Sequence, residues 1–198
     1  MLLAFFVALF CGKMKVKKGK VKIMKNIINR RSIRQYAPES IPFEVAREVI
    51  EIASKAPSWK NQQSWHFVLV DDPVIKESLM ESVPLGNPGR PALTEAPYVI
   101  VVLAEPDQSG ELDGKPYYLV DGGIVFSTLM LAATDRNLGT CFIGWFDEAT
   151  VKKACNVPSS YKVIGLTPLG IPLYLPEEKP RKSFEELTTI NAFGKETE

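Results

Sequence analysis

Five consecutive residues, Arg30-Arg31-Ser32-Ile33-Arg34, bring three guanidiniums and a hydroxyl together. A guanidinium is a rigid fork of donors that never loses its charge, so this cluster is suited to gripping a phosphate. A second cationic group, Lys179-Pro180-Arg181, lies far downstream. Two such groups, distant along the chain, fit one phosphate around which the fold closes. The plainer alternative is a solvated charged face paired with carboxylates such as Glu44 and Glu48, and the residues alone leave both open.

The other chemistry-bearing stretch runs from Ala56-Pro57-Ser58-Trp59-Lys60-Asn61 through Gln62-Gln63-Ser64-Trp65-His66-Phe67. It is an amide-rich turn entering an apolar strand. Amides at a strand edge can read the donor and acceptor edge of a planar ring, and Trp59, Trp65 and Phe67 suit either the core or stacking on an aromatic ligand. Downstream, Thr140 to Trp145 reads as a strand in which Gly144 lets a ligand approach the backbone. Cys141 has no histidine partner in a recognisable dyad and lies in an apolar strand, which argues against a nucleophile. Glu177-Glu178 and Glu185-Glu186 read as solvated tail residues. The chain contains no Walker-type loop, no G-x-G-x-x-G after a strand, and no G-x-S-x-G or H-E-x-x-H. What remains is a site that binds a planar phosphorylated molecule and lets that molecule do the work, a description that fits flavin mononucleotide.

The elements that must position these residues follow from periodicity. A short helix is expected from Met24 to Arg31, with Ile27 and Ile28 inward. A second helix opens at Ser40 or Pro42 and runs to Lys55, where Ala56-Pro57 ends it. Trp65 to Val70 and Pro97 to Ala104 read as strands buried on both faces. Asp72 and Asp147 sit where they would cap helices reaching about Ser82 and Cys155. Val83 to Pro91 and Glu105 to Lys115 read as loops, and Tyr161 to Leu169 as a further strand. Tyr117 to Asn137 forms the central helix, with Gly139 as its expected cap. That helix is apolar on nearly every face and so must be covered all round, in part by a second subunit. Helices and strands mix without regular βαβ alternation, which favours an α+β fold.

Bulk properties narrow the function. The chain has 198 residues and a formal net charge of +1, which fits one domain with arms and gives no bulk attraction for nucleic acid or an anionic membrane. Three widely spaced cysteines, Cys11, Cys141 and Cys155, suggest free thiols in a reducing cytoplasm, and one histidine cannot build a multi-His metal site. Residues 1–23 read as an extension. Leu2 to Cys11 is an apolar run about half as long as the ~20 residues that span a bilayer, and no basic residue precedes it. A misassigned start, with Met24 as the real first residue, is preferred over a weak signal segment. Residues 24–198 then form the single domain with its C-terminal arm.

With these residues in hand, the sequence resembles the nitroreductase family of FMN-dependent NAD(P)H oxidoreductases, from about Met24 to Leu187. The carriers are Arg30 to Tyr36, Ala56 to Trp65, Asp121-Gly122-Gly123, Gly139 to Gly144, Pro168-Leu169-Gly170 and Lys179-Pro180-Arg181. The resemblance implies a mainly antiparallel central sheet flanked by helices, in an intertwined homodimer with FMN at the subunit interface. It implies that Arg30, Ser32 and Arg181, with Lys179 and neighbouring Arg31, hold the phosphate. Arg34 would reach the flavin pyrimidine edge, and Ile143 and Gly144 would face the ring, with the Gly144 N–H directed at N5. Pro57, Ser58, Trp59, Asn61 and Gln63 would come from the other subunit. The implied reaction is ping-pong hydride transfer from NADH or NADPH through flavin N5 to a nitroaromatic, quinone or related acceptor. The alternative is a flavin-binding dimer that uses FMN for another reaction or for storage. Residues 82–97 are short for the family, and Asn87 or Arg90 would approach the ring from there. Intact-mass measurement on the protein from its native source is expected to show a chain that begins at Met24.

Overall fold

The computed structural model describes residues 22–194, so the apolar run and the extension up to residue 21 lie outside the described residues. The elements are α1 Lys22–Asn29, α2 Phe43–Ala53, β1 Trp65–Val70, α3 Pro73–Glu81, α4 Ala92–Glu95, β2 Tyr98–Ala104, β3 Glu111–Leu112, β4 Lys115–Pro116, α5 Tyr117–Asp135, β5 Gly139–Thr140, α6 Glu148–Ala154, β6 Lys162–Gly170 and α7 Phe184–Leu187. Single 3-10 turns occupy Trp59–Asn61 and Pro106–Gln108. The central sheet has strand order β1-β2-β6-β5, and each neighbouring pair is antiparallel. A separate small hairpin, β3-β4, lies within the expected 105–115 loop.

The uniformly apolar β2 is explained by cover on both faces. Ile100 and Val102 pack with Val49, Ala53, Phe126 and Leu129 of α2 and α5. Val99, Val101 and Leu103 pack on the opposite side with Leu79, Leu93 and Val151 of α3, α4 and α6. The period-2 alternation of a strand therefore feeds two cores at once. β1 differs from expectation. It is an edge strand with a ladder partner in β2 alone, its residues are mostly half-buried, and His66 is exposed.

Local signals set the helix ends. Asp72 accepts from the Val74 and Ile75 N–H groups at 2.8 and 3.0 Å, with Pro73 at the first helical position. Asp147 accepts from Thr150 N–H at 2.8 Å and opens α6. At the end of α5 the expected cap is wrong. Asn137 adopts the left-handed conformation (φ 57°), with Leu138 N–H donating to Ala133 O at 2.9 Å and Asn137 N–H to Thr134 O at 3.0 Å. That is a Schellman closure built on asparagine. Gly139 serves a different purpose: a Cβ there would sit 2.8 Å from Ile33 Cβ. The expected strand 140–145 is also shorter. Only Gly139–Thr140 pairs as a strand, followed by an isolated bridge between Ile143 and Leu166.

α5 is the central helix, and its inner face, including Val125, Phe126, Leu129 and Ala133, is buried. Gly122 faces inward, where a Cβ would meet Ile164 at 2.9 Å. The outward face is not covered within one chain: Leu119 is 52% and Val120 40% exposed, and a Cβ on Gly123 would meet open space.

One seam brings the chain ends together. Ser32 bridges Thr140 in parallel, and Ile33 N–H donates to Thr140 O at 2.9 Å. Tyr36 then bridges Pro172 in antiparallel fashion, with Ala37 N–H donating to Ile171 O and Leu173 N–H to Gln35 O. Because Gly139 permits the first contact, Gly139→Ala is expected to lower stability by about 1–3 kcal/mol through overpacking against Ile33. Denaturant titration checks this as a lower midpoint at unchanged slope.

Candidate functional site

The antiparallel seam decides where the tail goes. Past Leu173 the tail runs back alongside residues 30–34, and the Arg31 guanidinium meets Glu178 at 3.2 Å. The two basic groups therefore share one cleft of about 330 Å³, lined by Arg30, Arg31, Ser32, Arg34, Lys179 and Arg181, with Glu177 and Glu178 as its carboxylates. Five cations against two carboxylates leave a local excess of three positive charges on a chain whose net charge is +1. Such a cleft attracts an anion and offers it several donors at once.

The side chains differ in their engagement. Ile33 is 3% and Tyr36 6% exposed, while Ser32 just before them is half-buried and Arg34 between them is exposed. Tyr36 donates its hydroxyl to Ile33 O at 3.1 Å, which fixes the segment from within. Arg31 is committed to structure: Nη1 donates to Ile28 O at 2.6 Å, at the C-terminal end of α1, and Nη2 reaches Glu178. It braces the tail against α1. Arg34 contacts its own segment through a long 3.5 Å bond to Ser32 O.

Residues 57–63 line no part of this cleft. They form a tight turn in which Lys60, Asn61 and Gln63 all have positive φ (46°, 58° and 52°). For residues with a Cβ this costs about 1–2 kcal/mol each and must be over-determined by the surroundings. Ser58 Oγ accepts from Gln63 N–H at 2.9 Å, closing the turn. Gln63 Nε2 donates to the Asn61 carboxamide oxygen at 3.3 Å. Trp59 N–H donates to Asp121 Oδ1 at 2.9 Å, and the Trp59 ring lies 4.0 Å from that of Tyr117. Pro57, Asn61 and Gln63 stay exposed.

A third group sits on the sheet. Ile143 is buried and bridges Leu166, whereas Gly144 is exposed. A Cβ on Gly144 would lie 2.6 Å from Phe142 Cε1, so the residue after Ile143 must be bare for the Phe142 ring to lie there. Phe142 in turn meets Phe126 edge-on at 4.6 Å. In the 82–97 segment, Arg90 donates to Val83 O at 2.9 Å, and the Asn87 carboxamide accepts from Gly89 N–H at 2.9 Å. Both side chains hold their own loop together.

Residues 27–171 match the family model described as the nitroreductase family. The chain belongs to this family. A nitroreductase family protein of Clostridium novyi NT has the same fold (TM-score 0.73, 33% identity, 76% of this chain and 86% of that one). A relative from Archaeoglobus fulgidus, whose name couples NADH dehydrogenase with NAD(P)H nitroreductase, is 30% identical over 169 residues, covering 82% of this chain and 89% of its own. The fold is also that of an oxidized iodotyrosine deiodinase bound to FMN and 3-iodo-L-tyrosine (TM-score 0.73, 24% identity, 86% of this chain and all of that one). The antiparallel sheet flanked by helices is thus the nitroreductase fold.

Sequence reasoning passed over two partners in this site. Glu178, taken as a solvated tail residue, pairs with Arg31. Asp121, quoted only as part of a motif, is 2% exposed and holds Trp59; its signal is a carboxylate in an otherwise apolar stretch of helix. Cys141 is 3% exposed, and burial pushes its thiol pKa up, against the smaller opposing pull of Arg34, the Ser32 side chain and Arg30. A raised pKa leaves little thiolate at neutral pH. Alkylation at Cys141, followed by peptide mass mapping, is expected to be slow at pH 8 and to reach half its limiting rate at a higher pH than a free thiol, whose midpoint is about 8.5.

Proposed function

We propose that the protein is an FMN-dependent NAD(P)H oxidoreductase that passes hydride, in a ping-pong cycle, to a nitroaromatic, quinone or related small acceptor. The observation that carries this is the convergence of Arg30, Ser32, Lys179 and Arg181 on one cleft. A phosphate monoester is an acceptor-rich anion, and a cleft with surplus positive charge and forked donors fits it.

Arg30, Ser32, Lys179 and Arg181 hold the phosphate, and Arg31 keeps the tail in place so that they can. Arg34, one turn of extended chain further on, sets positive charge at the pyrimidine edge, where negative charge develops on reduction. The backbone at Ile143 and Gly144 would face the ring, with the Gly144 N–H available to N5. Pro57, Ser58, Trp59, Asn61 and Gln63 complete the ring pocket from a second subunit. When bound, FMN would supply the hydride-carrying chemistry, through N5, between NADH or NADPH and the acceptor. No side chain must ionise or attack, which accords with a buried, protonated Cys141.

The homodimer is supported by the outward face of α5, where Leu119, Val120 and Ile124 are exposed. An apolar patch of this kind on a core helix calls for a partner. A cytoplasmic setting suits the thiols Cys141 and Cys155, both unpaired by disulfide. Reductive dehalogenation is a second reading, favoured by the deiodinase of the same fold whose structure holds FMN and 3-iodo-L-tyrosine. Flavin storage without turnover is the third.

Purified protein is expected to be yellow and to bleach anaerobically with NADH or NADPH, then to reoxidise with nitroaromatics or quinones. Colour without bleaching supports storage, and reoxidation by iodotyrosine alone supports dehalogenation. Arg30→Glu and Arg181→Glu are each expected to lower FMN affinity by at least a hundredfold while leaving a folded dimer, measured by fluorescence titration and light scattering. Affinity within a few-fold of the parent would remove the phosphate assignment.

A further inference from the structure

Asp121 is the most deeply buried carboxylate among the residues around the amide-rich turn, at 2% exposure, and it lies in the second turn of α5. Its two oxygens take different partners. Oδ1 accepts Trp59 N–H at 2.9 Å, and Oδ2 accepts the Ser109 hydroxyl at 3.3 Å. The Trp59 ring is confined from two more sides, by Tyr117 at 4.0 Å and by Gly110, where a Cβ would fall 2.3 Å from Trp59 Nε1. Trp59 opens the turn in which Lys60, Asn61 and Gln63 hold left-handed conformations. A conformation of that cost persists only when something outside the turn fixes its entry point. Asp121 supplies that fixed point, through a backbone N–H that a side-chain change at Trp59 would not remove.

We propose that Asp121 is a positioning residue for the cofactor site: it clamps the 58–63 turn to the central helix and thereby sets the flavin pocket of the opposite subunit, without touching the cofactor itself. This rests on the proposed FMN-binding dimer. The clamp explains why a buried acid occupies a helix that is otherwise apolar at this level. It also gives a direction of action, because the turn lines no part of its own chain's basic cleft. A defect at Asp121 therefore belongs to the partner's site.

The chemistry of the clamp sets what each substitution does. Asp121→Asn keeps an acceptor for Trp59 N–H, and its amide can donate to Ser109 Oγ, which accepts as readily as it donates. Asp121→Leu keeps the branched shape but, having no acceptor, leaves the part-buried Trp59 N–H without its partner. Loss of such a partner corresponds to about a tenfold to hundredfold change in an equilibrium constant. Asp121→Leu is therefore expected to weaken FMN binding by about that factor, and Asp121→Asn to restore most of it. Gly110→Ala, which drives a methyl into Trp59 from the other side, gives the same defect should Asp121→Leu fail to fold.

Mixed dimers decide the direction. One subunit carries Asp121→Leu (or Gly110→Ala), the other Arg181→Glu, each with a distinct affinity tag for purification of the heterodimer. Action on the partner concentrates both defects in one site, leaving one FMN per dimer at parental affinity by fluorescence titration. Action within the same subunit spoils both sites, and no tight site remains; that result overturns the proposal. Parental FMN affinity in the Asp121→Leu homodimer also overturns it, as does a defect in Asp121→Asn equal to that of Asp121→Leu. Should the Arg181→Glu homodimer keep its FMN, or the parent protein be monomeric by light scattering, the underlying FMN-dimer reading fails instead, and the proposal with it.

Discussion

The short antiparallel seam between Gln35–Ala37 and Ile171–Leu173 is the constraint on which the basic cleft depends. It consists of few hydrogen bonds, Ala37 to Ile171 and Leu173 to Gln35, around the Tyr36–Pro172 bridge. Its consequence is geometric. An antiparallel pairing sends the chain after Leu173 back along residues 34 to 30, so the tail's cations must arrive beside those of the first segment. The Arg31–Glu178 ion pair marks that return. Being partly exposed, the pair itself contributes little stability, about 0–1 kcal/mol. The buried side chains of Ile33 and Tyr36 and the backbone ladder hold the segment; the ion pair keeps the tail in line.

A second arrangement works by opposition of strain and restraint. The 58–63 turn holds three non-glycine residues in left-handed backbone, and the surroundings compensate with a carboxylate clamp, an aromatic neighbour and a glycine that leaves room for the indole. Strain of this kind concentrates where polar groups must be presented in one orientation. The turn leaves Asn61 and Gln63 exposed and lines no part of the cleft of its own chain. The outward face of α5 leaves Leu119 and Val120 exposed, an apolar surface that the proposed homodimer would cover.

Much of the fold was legible because the decisive signals are local. Asp72 and Asp147 cap helices, since a carboxylate before a helix finds unpaired N–H groups within three residues. The unbroken apolar run 98–104 is a strand covered on both faces, and the absence of βαβ alternation fits the α+β fold, whose antiparallel sheet the family resemblance implied. Where local reading failed, competition from tertiary contacts explains it. Gly139 looked like a helix cap, yet Asn137 takes that role because Gly139 is needed bare beneath Ile33. β1 shares the composition of β2 but lies at the sheet edge, a position that composition does not encode. Residues 141–145 have strand-like chemistry without a strand's ladder, because only Ile143 finds a partner in Leu166.

The sequence by itself determined the chemical inventory: cations in two clusters, an amide-rich turn, a glycine after an apolar stretch, and no Walker-type loop, G-x-S-x-G or H-E-x-x-H motif. Residue type and short-range spacing carry that information, because charge, donor count and backbone freedom are properties of each residue. Only the tertiary structure decided that the two basic clusters face one cleft, that the amide turn does not, and that Asp121 belongs to the turn rather than to the helix that bears it. Those facts depend on which distant segments pair, and pairing is settled by burial and hydrogen-bond satisfaction over the whole chain at once.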